Sequence, residues 1–286
     1  MNKKIDFYKD LEPCFSCKDY TVSGEVYQLN YNNEFDMLVT TPVPKNLKDY
    51  YKSENYISHT DSKKSLFDKV YQVVKGITLK RKLKLINSFK TSSKTILDVG
   101  AGTGDFLKAC KNNSWNVFGS EPDLGARNIA QKKRIELVEN LTSLENKKFD
   151  VITLWHVLEH VENLQDYIIE LHKLLKNDGR IIIAVPNFKS YDANFYKEYW
   201  AAFDVPRHLW HFSQNSIHKL FSLVNMKIEK TLPMKFDSFY VSFLSEKYKT
   251  GSIKPIRGFY KGFISNLKAN TTKEYSSLIY VLKKDK

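Results

Sequence analysis

A glycine-rich loop between a predicted strand and a predicted helix constrains the fold of this chain more than any other feature. The strand is Thr95–Val99, and the loop reads Gly100-Ala101-Gly102-Thr103-Gly104-Asp105. Such a loop lets backbone N–H groups and the N-terminus of the following helix approach a ligand closely. A dinucleotide fingerprint would place its last glycine at Asp105, and a Walker loop would need Gly-Lys-Ser or Gly-Lys-Thr, so the sequence matches neither.

The sequence after this loop alternates between strand and helix patterns. The predicted strands are short and apolar, and they cover 95–100, 115–122, 135–140, 149–155 and 180–187. One of the helices between them, at 164–179, is predicted to end at a glycine cap after Asp178. Strands that alternate with helices in this way predict a parallel sheet covered by helices on both faces.

Two acidic residues stand at the ends of the first two strands of this block. Asp98 lies two residues before the first glycine, and Glu121 lies 23 positions after Asp98. A carboxylate at the first place suits a cofactor with positive ammonium and sulfonium groups rather than a pyrophosphate. An acid at the second place can accept hydrogen bonds from both hydroxyls of a ribose. The combination predicts a cationic cofactor that carries a nucleoside.

Residues 95–187 resemble the class I S-adenosylmethionine-dependent methyltransferases, and in particular the group that includes the ubiquinone-biosynthesis O-methyltransferases. ILDVGAGTGDFL is similar to the first motif of that family, and FDVITLWHVLEHVENLQDYIIELHKLLKNDGRIIIAVPN is similar to its strand-four to strand-five block. The resemblance implies an α/β, Rossmann-like fold with a seven-stranded methyltransferase sheet and helices on both faces. It also implies S-adenosylmethionine as cofactor, S-adenosylhomocysteine as product and no required metal.

The same resemblance assigns cofactor contacts to positions of this chain. The implied contacts are Asp98, Gly100, Ala101, Gly102, Gly104, Glu121, Pro122, Asn140, Leu141, Trp155 and His156. The glycine loop would surround the methionine part, and Glu121 would hold the ribose. Asn140 and Leu141 would lie near the adenine, while Trp155 and His156 would cap the cofactor after strand four. The family often has Asp in place of Asn140, whose amide can still bond the adenine amino group.

The aromatic and basic segment 199–212, after the fifth strand, is the predicted acceptor site, because ligands bind in loops at the carboxyl ends of parallel strands. Methyl transfer to an oxygen requires that the oxygen lose its proton, which a histidine can accept near neutral pH. We therefore expect His208 to act as base, with His160 as the alternative, and Arg207 to anchor a polar or anionic group. The other interpretation is that Arg207 and Asp204 only hold the loop together. Further substrate contacts are expected from Tyr56, His59, Tyr199, Trp200 and His211.

The motif His156-Val-Leu-Glu159-His160 spells H-x-x-E-H, which some zinc peptidases also use. A peptidase would need a further acidic ligand downstream, and this motif follows a strand inside the methyltransferase-like block, so we do not expect one. Related ubiquinone O-methyltransferases place acids and a histidine here. Two interpretations therefore stay open: the three side chains bind a metal, or Glu159 and His160 orient the loop after strand four.

The sequence divides into four predicted segments. They are an N-terminal, strand-rich module at 1–45, a connector with an amphipathic lid helix at 46–94, the methyltransferase core at 95–235 with a substrate insertion at about 188–212, and a basic C-terminal extension at 236–286. The first segment contains Cys14 and Cys17, which form half of a zinc ribbon. Asn32 and Phe35 stand where relatives often carry the second cysteine pair, so we expect a degenerate ribbon without zinc.

The formal charge of +13 is concentrated in two of these segments. Residues 60–94 carry a net charge of +8 and residues 245–286 a net charge of +7, which leaves −2 for the rest. Such segments are typical of binding to nucleic acid or to an anionic lipid surface, but a solvated lysine face has the same composition. Only six of the 45 basic residues are arginine, so we expect no nucleic-acid partner and leave peripheral membrane contact open.

These observations predict a cytoplasmic bacterial methyltransferase that methylates an oxygen of a small-molecule acceptor. The sequence contains no uncharged apolar run of about 18 residues and no signal-peptide core. One alternative is an RNA or protein methyltransferase that uses the basic flanks, although Leu154-Trp155-His156-Val157 replaces the Asn-Pro-Pro-Tyr-like motif of amine methylation. Another is a non-catalytic protein that binds S-adenosylmethionine. The sequence does not indicate the oligomeric state.

Overall fold

A six-stranded sheet forms the centre of the computed structural model, which describes residues 4–51, 66–91 and 93–285. Its strands are β4 Thr95–Val99, β5 Asn116–Ser120, β6 Phe149–Trp155, β7 Leu175–Pro186, β9 Met226–Pro233 and β10 Ser277–Lys284. Their order in the described part of the sheet is β5-β4-β6-β7-β10-β9. Strands β4, β5, β6 and β7 are parallel, and β10 is antiparallel to both neighbours. The parallel strands therefore end at one edge, where Asp98 and Trp155 lie.

Helices cover both faces of this sheet, which confirms the predicted α/β class. They are α1 Leu66–Asn87, α2 Asp105–Lys111, α3 Leu124–Lys132, α4 Leu164–Leu174, α5 Tyr191–Tyr196, α6 Gln214–Ser222, α7 Asp237–Thr250 and α8 Pro255–Thr272. A hydrophobic core lies on each face of the sheet. Successive residues of β4 contribute to different cores, because successive side chains on a strand point to opposite faces. Ile96 packs with Ile86 of α1 and Leu107 of α2, whereas Leu97 packs in the cluster that contains Leu171 of α4. Within the described part of the chain, every helix is too short or too polar to cross a bilayer.

The seventh strand, predicted at 135–140, is reduced to a single bridge between Val138 and Ser120. Val138 donates its N–H to the carbonyl of Gly119 at 3.0 Å and accepts from the N–H of Glu121 at 2.9 Å. The chain then turns into a 3₁₀ helix at Leu141–Leu144. The segment thus lies at the sheet edge but leaves it after one pair of hydrogen bonds, so a seventh strand is not confirmed in the described part of the chain.

The predicted glycine cap at the end of helix 164–179 is wrong. Helix α4 ends at Leu174, and β7 starts at the next residue and runs through Gly179. The pairing register between β6 and β7 shifts there, from Phe149 opposite Leu175 to Val151 opposite Arg180. A Cβ at Gly179 would lie 2.7 Å from Leu175 Cδ1 and 3.0 Å from the carbonyl oxygen of Asp150. The glycine therefore permits a close approach at a strand irregularity instead of capping a helix.

A smaller antiparallel sheet joins the N-terminal segment to the predicted substrate insertion. It consists of β1 Glu12–Lys18, β2 Val26–Asn32, β3 Met37–Thr41 and β8 Trp210–His211. Strand β8 belongs to the insertion and pairs with β3, so the two regions share one layer. Cys14 is exposed and Cys17 is buried, and both are free thiols. This layer brings the 199–212 segment next to the loop after β6.

Candidate active site

The loop after β4 adopts the left-handed backbone conformation at three of its residues. Gly100, Gly102 and Gly104 have φ values of 65°, 53° and 76°. A side chain at Gly100 would collide with Val157, whose Cγ2 lies 2.5 Å from the place of a Cβ. Apart from Gly102 and its two chain neighbours, no described residue has a heavy atom within 4 Å of a Cβ placed on Gly102. The loop is therefore closed on its Val157 side and open at Gly102, and glycine is needed for this shape.

Glu121, the residue that follows β5, faces the open part of this loop. Its Oε2 accepts a hydrogen bond from the N–H of Gly102 at 2.9 Å, and its Oε1 accepts one from the N–H of Asp123 at 3.0 Å. Burial raises the pKa of Glu121, while these two N–H groups lower it. Because each carboxylate oxygen has two lone pairs, one on each oxygen remains for a further donor. A fixed pair of acceptors beside a glycine loop fits the two hydroxyls of a ribose.

Asn140 and Leu141, which are expected near the adenine, follow the segment that pairs with Glu121. Val138 pairs with the backbone of Glu121, and Asn140 follows it as an exposed residue at the start of the Leu141–Leu144 turn. Leu141 is buried. The carbonyl oxygen of Pro122 accepts a hydrogen bond from Arg127 at 2.7 Å. The predicted positions are therefore grouped at one side of the loop.

Asp98, near the end of β4, and Lys82, on α1, lie close enough for their opposite charges to interact. Asp98 is buried, and its Oδ1 accepts from the hydroxyl of Thr153 at 2.5 Å. Burial raises the pKa of Asp98 to about 7, although Thr153 and the Lys82 ammonium oppose this rise. The Lys82 ammonium lies 4.0 Å from the centroid of the Trp155 ring and 5.9 Å from that of Phe106. Burial lowers the pKa of Lys82 to about 8, against the fields of Asp98 and Asp237.

This arrangement shows that the site accommodates a positive charge among aromatic rings and a carboxylate. Such surroundings fit a cofactor with ammonium and sulfonium groups, because ring faces and carboxylates both attract cations. The Trp155 indole N–H, moreover, is buried with no hydrogen-bond partner in the described ranges. Sequence reasoning missed Lys82, since its helix carries lysines at many positions and spacing does not separate a half-buried one from solvated ones.

His156 ties the loop after β6 to the start of α7. Its φ is 58°, its Nδ1 lies 3.2 Å from Glu159 Oε1, and its Nε2 lies 3.2 Å from Asp237 Oδ2. Burial alone would lower the pKa of His156, but the hydrogen bonds and charges of Asp237 and Glu159 raise it to about 10. The ring is therefore a cation at neutral pH. It lies beside Trp155, as the predicted cap of the cofactor would, and the contact with Asp237 was not foreseen.

Glu159, His160 and His208 meet where this loop contacts the 199–212 segment. The His160 and His208 ring centroids are 4.5 Å apart at an interplanar angle of 79°. Glu159 Oε2 is buried and finds no hydrogen-bond partner among the residues that the structure describes. One ligand atom from each of the three side chains lies within 4.8 Å of the others, so this set could hold a divalent cation. The set differs from the motif in the sequence, because His208 takes the place of His156.

The hydrogen bonds of the two histidines indicate their tautomers. His208 Nδ1 lies 2.9 Å from the carbonyl oxygen of Ala202, and a carbonyl only accepts, so Nδ1 carries the proton and Nε2 is the basic nitrogen. Burial and the neighbouring His160 hold the pKa of His208 well below its ordinary value. His160 Nδ1 lies 3.1 Å from the Arg207 carbonyl oxygen and 3.0 Å from Tyr51 Oη. Both predicted bases therefore face each other, and Tyr51 is a neighbour that the sequence did not indicate.

The other predicted substrate contacts are placed differently. The buried Arg207 guanidinium forms an ion pair with Asp204, which is the geometry of the loop-holding interpretation. Trp200 is buried and donates its indole N–H to Asp192 at 2.8 Å. His211 is buried beside Thr40, and burial lowers its pKa to about 3.

Three further positions complete the predicted set. Tyr199 is half-buried, with its ring 6.2 Å from that of Tyr20. Tyr56 and His59 lie outside the described residues.

Comparisons with known proteins agree on one family. A family model described as "Methyltransferase domain" matches residues 77–231. The ubiquinone biosynthesis O-methyltransferase of Actinobacillus pleuropneumoniae is 33% identical over 108 residues, which cover 33% of this chain and 46% of that protein. The demethylmenaquinone methyltransferase of Tropheryma whipplei is 27% identical over 118 residues, which cover 38% of this chain and 49% of that protein. The chain thus spans about half the length of these curated relatives.

Solved structures share the fold at low sequence identity. The magnesium protoporphyrin IX methyltransferase of Synechocystis, crystallised with bound SAH, has a TM-score of 0.56 and 16% identity, and the match covers 84% of this chain and 98% of that chain. A cyclopropane synthase of Mycobacterium tuberculosis has a TM-score of 0.53 and 13% identity, with 85% of this chain and 100% of that chain covered. Similarity at this level concerns the fold alone.

Proposed function

The chain belongs to the methyltransferase domain family, and from this premise we propose that it transfers a methyl group from S-adenosylmethionine to an oxygen of a small molecule. The observation that carries the proposal is the position of Glu121. Its carboxylate accepts a hydrogen bond from the N–H of Gly102, beside the carboxyl ends of the neighbouring parallel strands β4 and β5. The relatives named as O-methyltransferases favour oxygen as the accepting atom.

The residues of the chain divide the binding of the cofactor between them. Glu121 accepts hydrogen bonds from the ribose, and Asp98 in its carboxylate form attracts the positive end of the methionine part. Trp155 holds its ring against the Lys82 ammonium, and its buried indole N–H, which has no hydrogen-bond partner among the described residues, can donate to the cofactor. When bound, the cofactor supplies a methyl group on a sulfonium, which is already activated for transfer. The protein therefore has to orient the acceptor and remove one proton.

The His160–His208 pair is the proposed proton acceptor. The acceptor O–H loses its proton to an imidazole nitrogen, an O–CH₃ bond forms as the S–CH₃ bond breaks, and S-adenosylhomocysteine leaves. Nε2 of His208 is unprotonated at neutral pH and can accept this proton, because Ala202 fixes the ring proton on the opposite nitrogen and burial lowers the pKa of the ring. His160 is half-buried and therefore the more accessible of the two. Positioning of the two reactants supplies much of the remaining rate.

Transfer of label tests this function. The protein is incubated with S-adenosylmethionine labelled on the methyl group and with a fractionated bacterial extract, and each fraction is then counted. We expect label in a small-molecule fraction and in a linkage that resists acid as an ether does. Label confined to RNA or protein would contradict the proposal and favour macromolecular methylation. Binding of S-adenosylhomocysteine without label in any fraction would favour a non-catalytic protein.

A further inference from the structure

Helices α7 and α8 form a hairpin that packs through small residues. The inward face of α8 consists of Gly258, Gly262, Ser265 and Ala269, all of which are buried. A Cβ at Gly258 would lie 2.6 Å from Phe243 Cδ1, and a Cβ at Gly262 would lie 2.8 Å from the Cα of Phe239. The two helices therefore touch closely, and α8 buries only small side chains.

The outward face of α8 carries the large apolar side chains instead. Ile256 is 89% exposed, and the others are 46–57% exposed: Phe259, Tyr260, Phe263 and Leu267. Their spacing of three, four, seven and eleven positions places them on one stripe of the helix. Ile253, just before the helix, is 52% exposed as well. A helix on a protein surface ordinarily turns its polar side outward, so this reversed pattern marks an interaction surface.

Basic residues surround the stripe. Segment 247–273 contains seven Lys and Arg and no Asp or Glu. One of them, Arg257, is paired with the buried Glu246 at 3.1 Å. Lys254 is exposed just before α8, while the Lys261 and Lys268 ammonium groups lie 3.7 Å and 4.3 Å from the centroids of the Phe195 and Tyr191 rings beside the helix. The surface thus combines an apolar centre with a positive rim.

We propose that the α7–α8 hairpin docks the protein on an anionic lipid surface. The apolar stripe would enter the boundary between headgroups and acyl chains, and the lysines would contact lipid phosphates. A second copy of the chain fits less well, because a symmetric contact would set this acid-free segment against itself and oppose like charges. An anionic membrane complements the segment, because its negatively charged headgroups can pair with the lysines and its acyl chains can receive the apolar stripe.

The α7–α8 hairpin begins beside the candidate active site. Asp237, the first residue of α7, is the residue that lies 3.2 Å from His156. Phe236, just before it, lies under the guanidinium of Arg81 on α1, 5.1 Å from the ring centroid. Contact with a lipid surface would therefore hold the loop after β6 and the helix that carries Lys82 close to that surface.

Co-sedimentation with vesicles tests the proposal on the full chain. We expect binding to vesicles that contain phosphatidylglycerol, weaker binding as salt rises, and little binding to pure phosphatidylcholine. The double variant Ile256→Ser/Phe263→Ser should bind about tenfold more weakly, since it removes two side chains that enter the bilayer. The variant Lys254→Glu/Lys268→Glu should lose the preference for the anionic lipid.

Matched controls separate this surface from general effects. Val22→Ser/Val26→Ser changes two exposed apolar residues in the N-terminal part, and Lys45→Glu/Lys48→Glu changes two exposed lysines there. Both should bind vesicles as the wild type does, and all variants should keep the wild-type thermal transition. Equal binding to both lipids, or undiminished binding by Ile256→Ser/Phe263→Ser, would overturn the proposal. A dimer that this variant dissociates would assign the stripe to a second copy.

Discussion

The cofactor side and the acceptor side of the candidate site are built in different ways. On the cofactor side, Glu121 and Asp98 sit at strand ends, and backbone N–H groups or one hydroxyl hold their carboxylates. On the acceptor side, His208 and Arg207 lie in a packed insertion where Ala202 and Asp204 already engage them. On the first side, local backbone geometry positions the carboxylates. On the second side, hydrogen bonds and ion pairs between side chains and backbone groups position the histidine and the arginine. Variants on the two sides should therefore separate binding from turnover.

Loss of the proposed base has the largest expected effect. His208→Asn keeps an N–H that can donate to the Ala202 carbonyl but removes the basic nitrogen, so turnover of the labelled acceptor should fall by about a hundredfold or more. Binding of S-adenosylhomocysteine, measured by calorimetry, should stay within about twofold because the other side of the site is untouched. The exposed His218 gives a matched control, and His218→Asn should behave as the wild type. Full turnover by His208→Asn would transfer the role to His160.

The second largest effect is expected from removing Glu121, the proposed hydrogen-bond acceptor for the ribose, and it should weaken binding of the cofactor. Glu121→Ala deletes two charged acceptors, and S-adenosylhomocysteine should bind about a hundredfold more weakly, since such hydrogen bonds contribute about 1.5–3 kcal/mol each. The exposed Glu136, two residues before Val138, is the matched control, and Glu136→Ala should bind normally. Undiminished binding by Glu121→Ala in calorimetry would remove the cofactor assignment.

Sequence reasoning reached these two sides unequally. Asp98, the glycines and Glu121 lie within one strand–loop–helix–strand unit, so their spacing alone indicates their arrangement. The contact of His156 with Asp237 joins residues 81 positions apart, and the burial of Lys82 depends on how α1 lies over the sheet. Neither leaves a local signal. The local pattern at Gly179 was misleading in another way. A glycine after a polar run is typical both of a helix cap and of a strand irregularity.

The pH dependence of cofactor binding should follow Asp98. Only its carboxylate form attracts a cationic amino group, so affinity for S-adenosylhomocysteine should rise as pH increases through about 7, the raised pKa of the buried acid. Below that value the affinity should fall by up to about tenfold per pH unit. Calorimetry between pH 5.5 and 8.5 measures this slope. Asp98→Asn should bind weakly with the slope removed, and a slope that survives in this variant would assign the titration to Glu121.

The smallest expected effect concerns the contact that joins the cofactor side to α7. The pKa of His156 is raised from 6.5 to about 10 in the folded chain, so its contribution to stability is complete below pH 6.5 and is lost as pH rises towards 10. Because the ring is 35% exposed, solvent screens its ion pairs, and we expect a contribution of about 1 kcal/mol. Urea unfolding of Asp237→Asn at pH 6 and pH 9 should show a weaker decline in stability than the wild type. Asp178→Asn, at an exposed acid outside the site, should follow the wild-type curve. Equal pH dependence of Asp237→Asn and the wild type would show that His156 does not couple the loop to the hairpin.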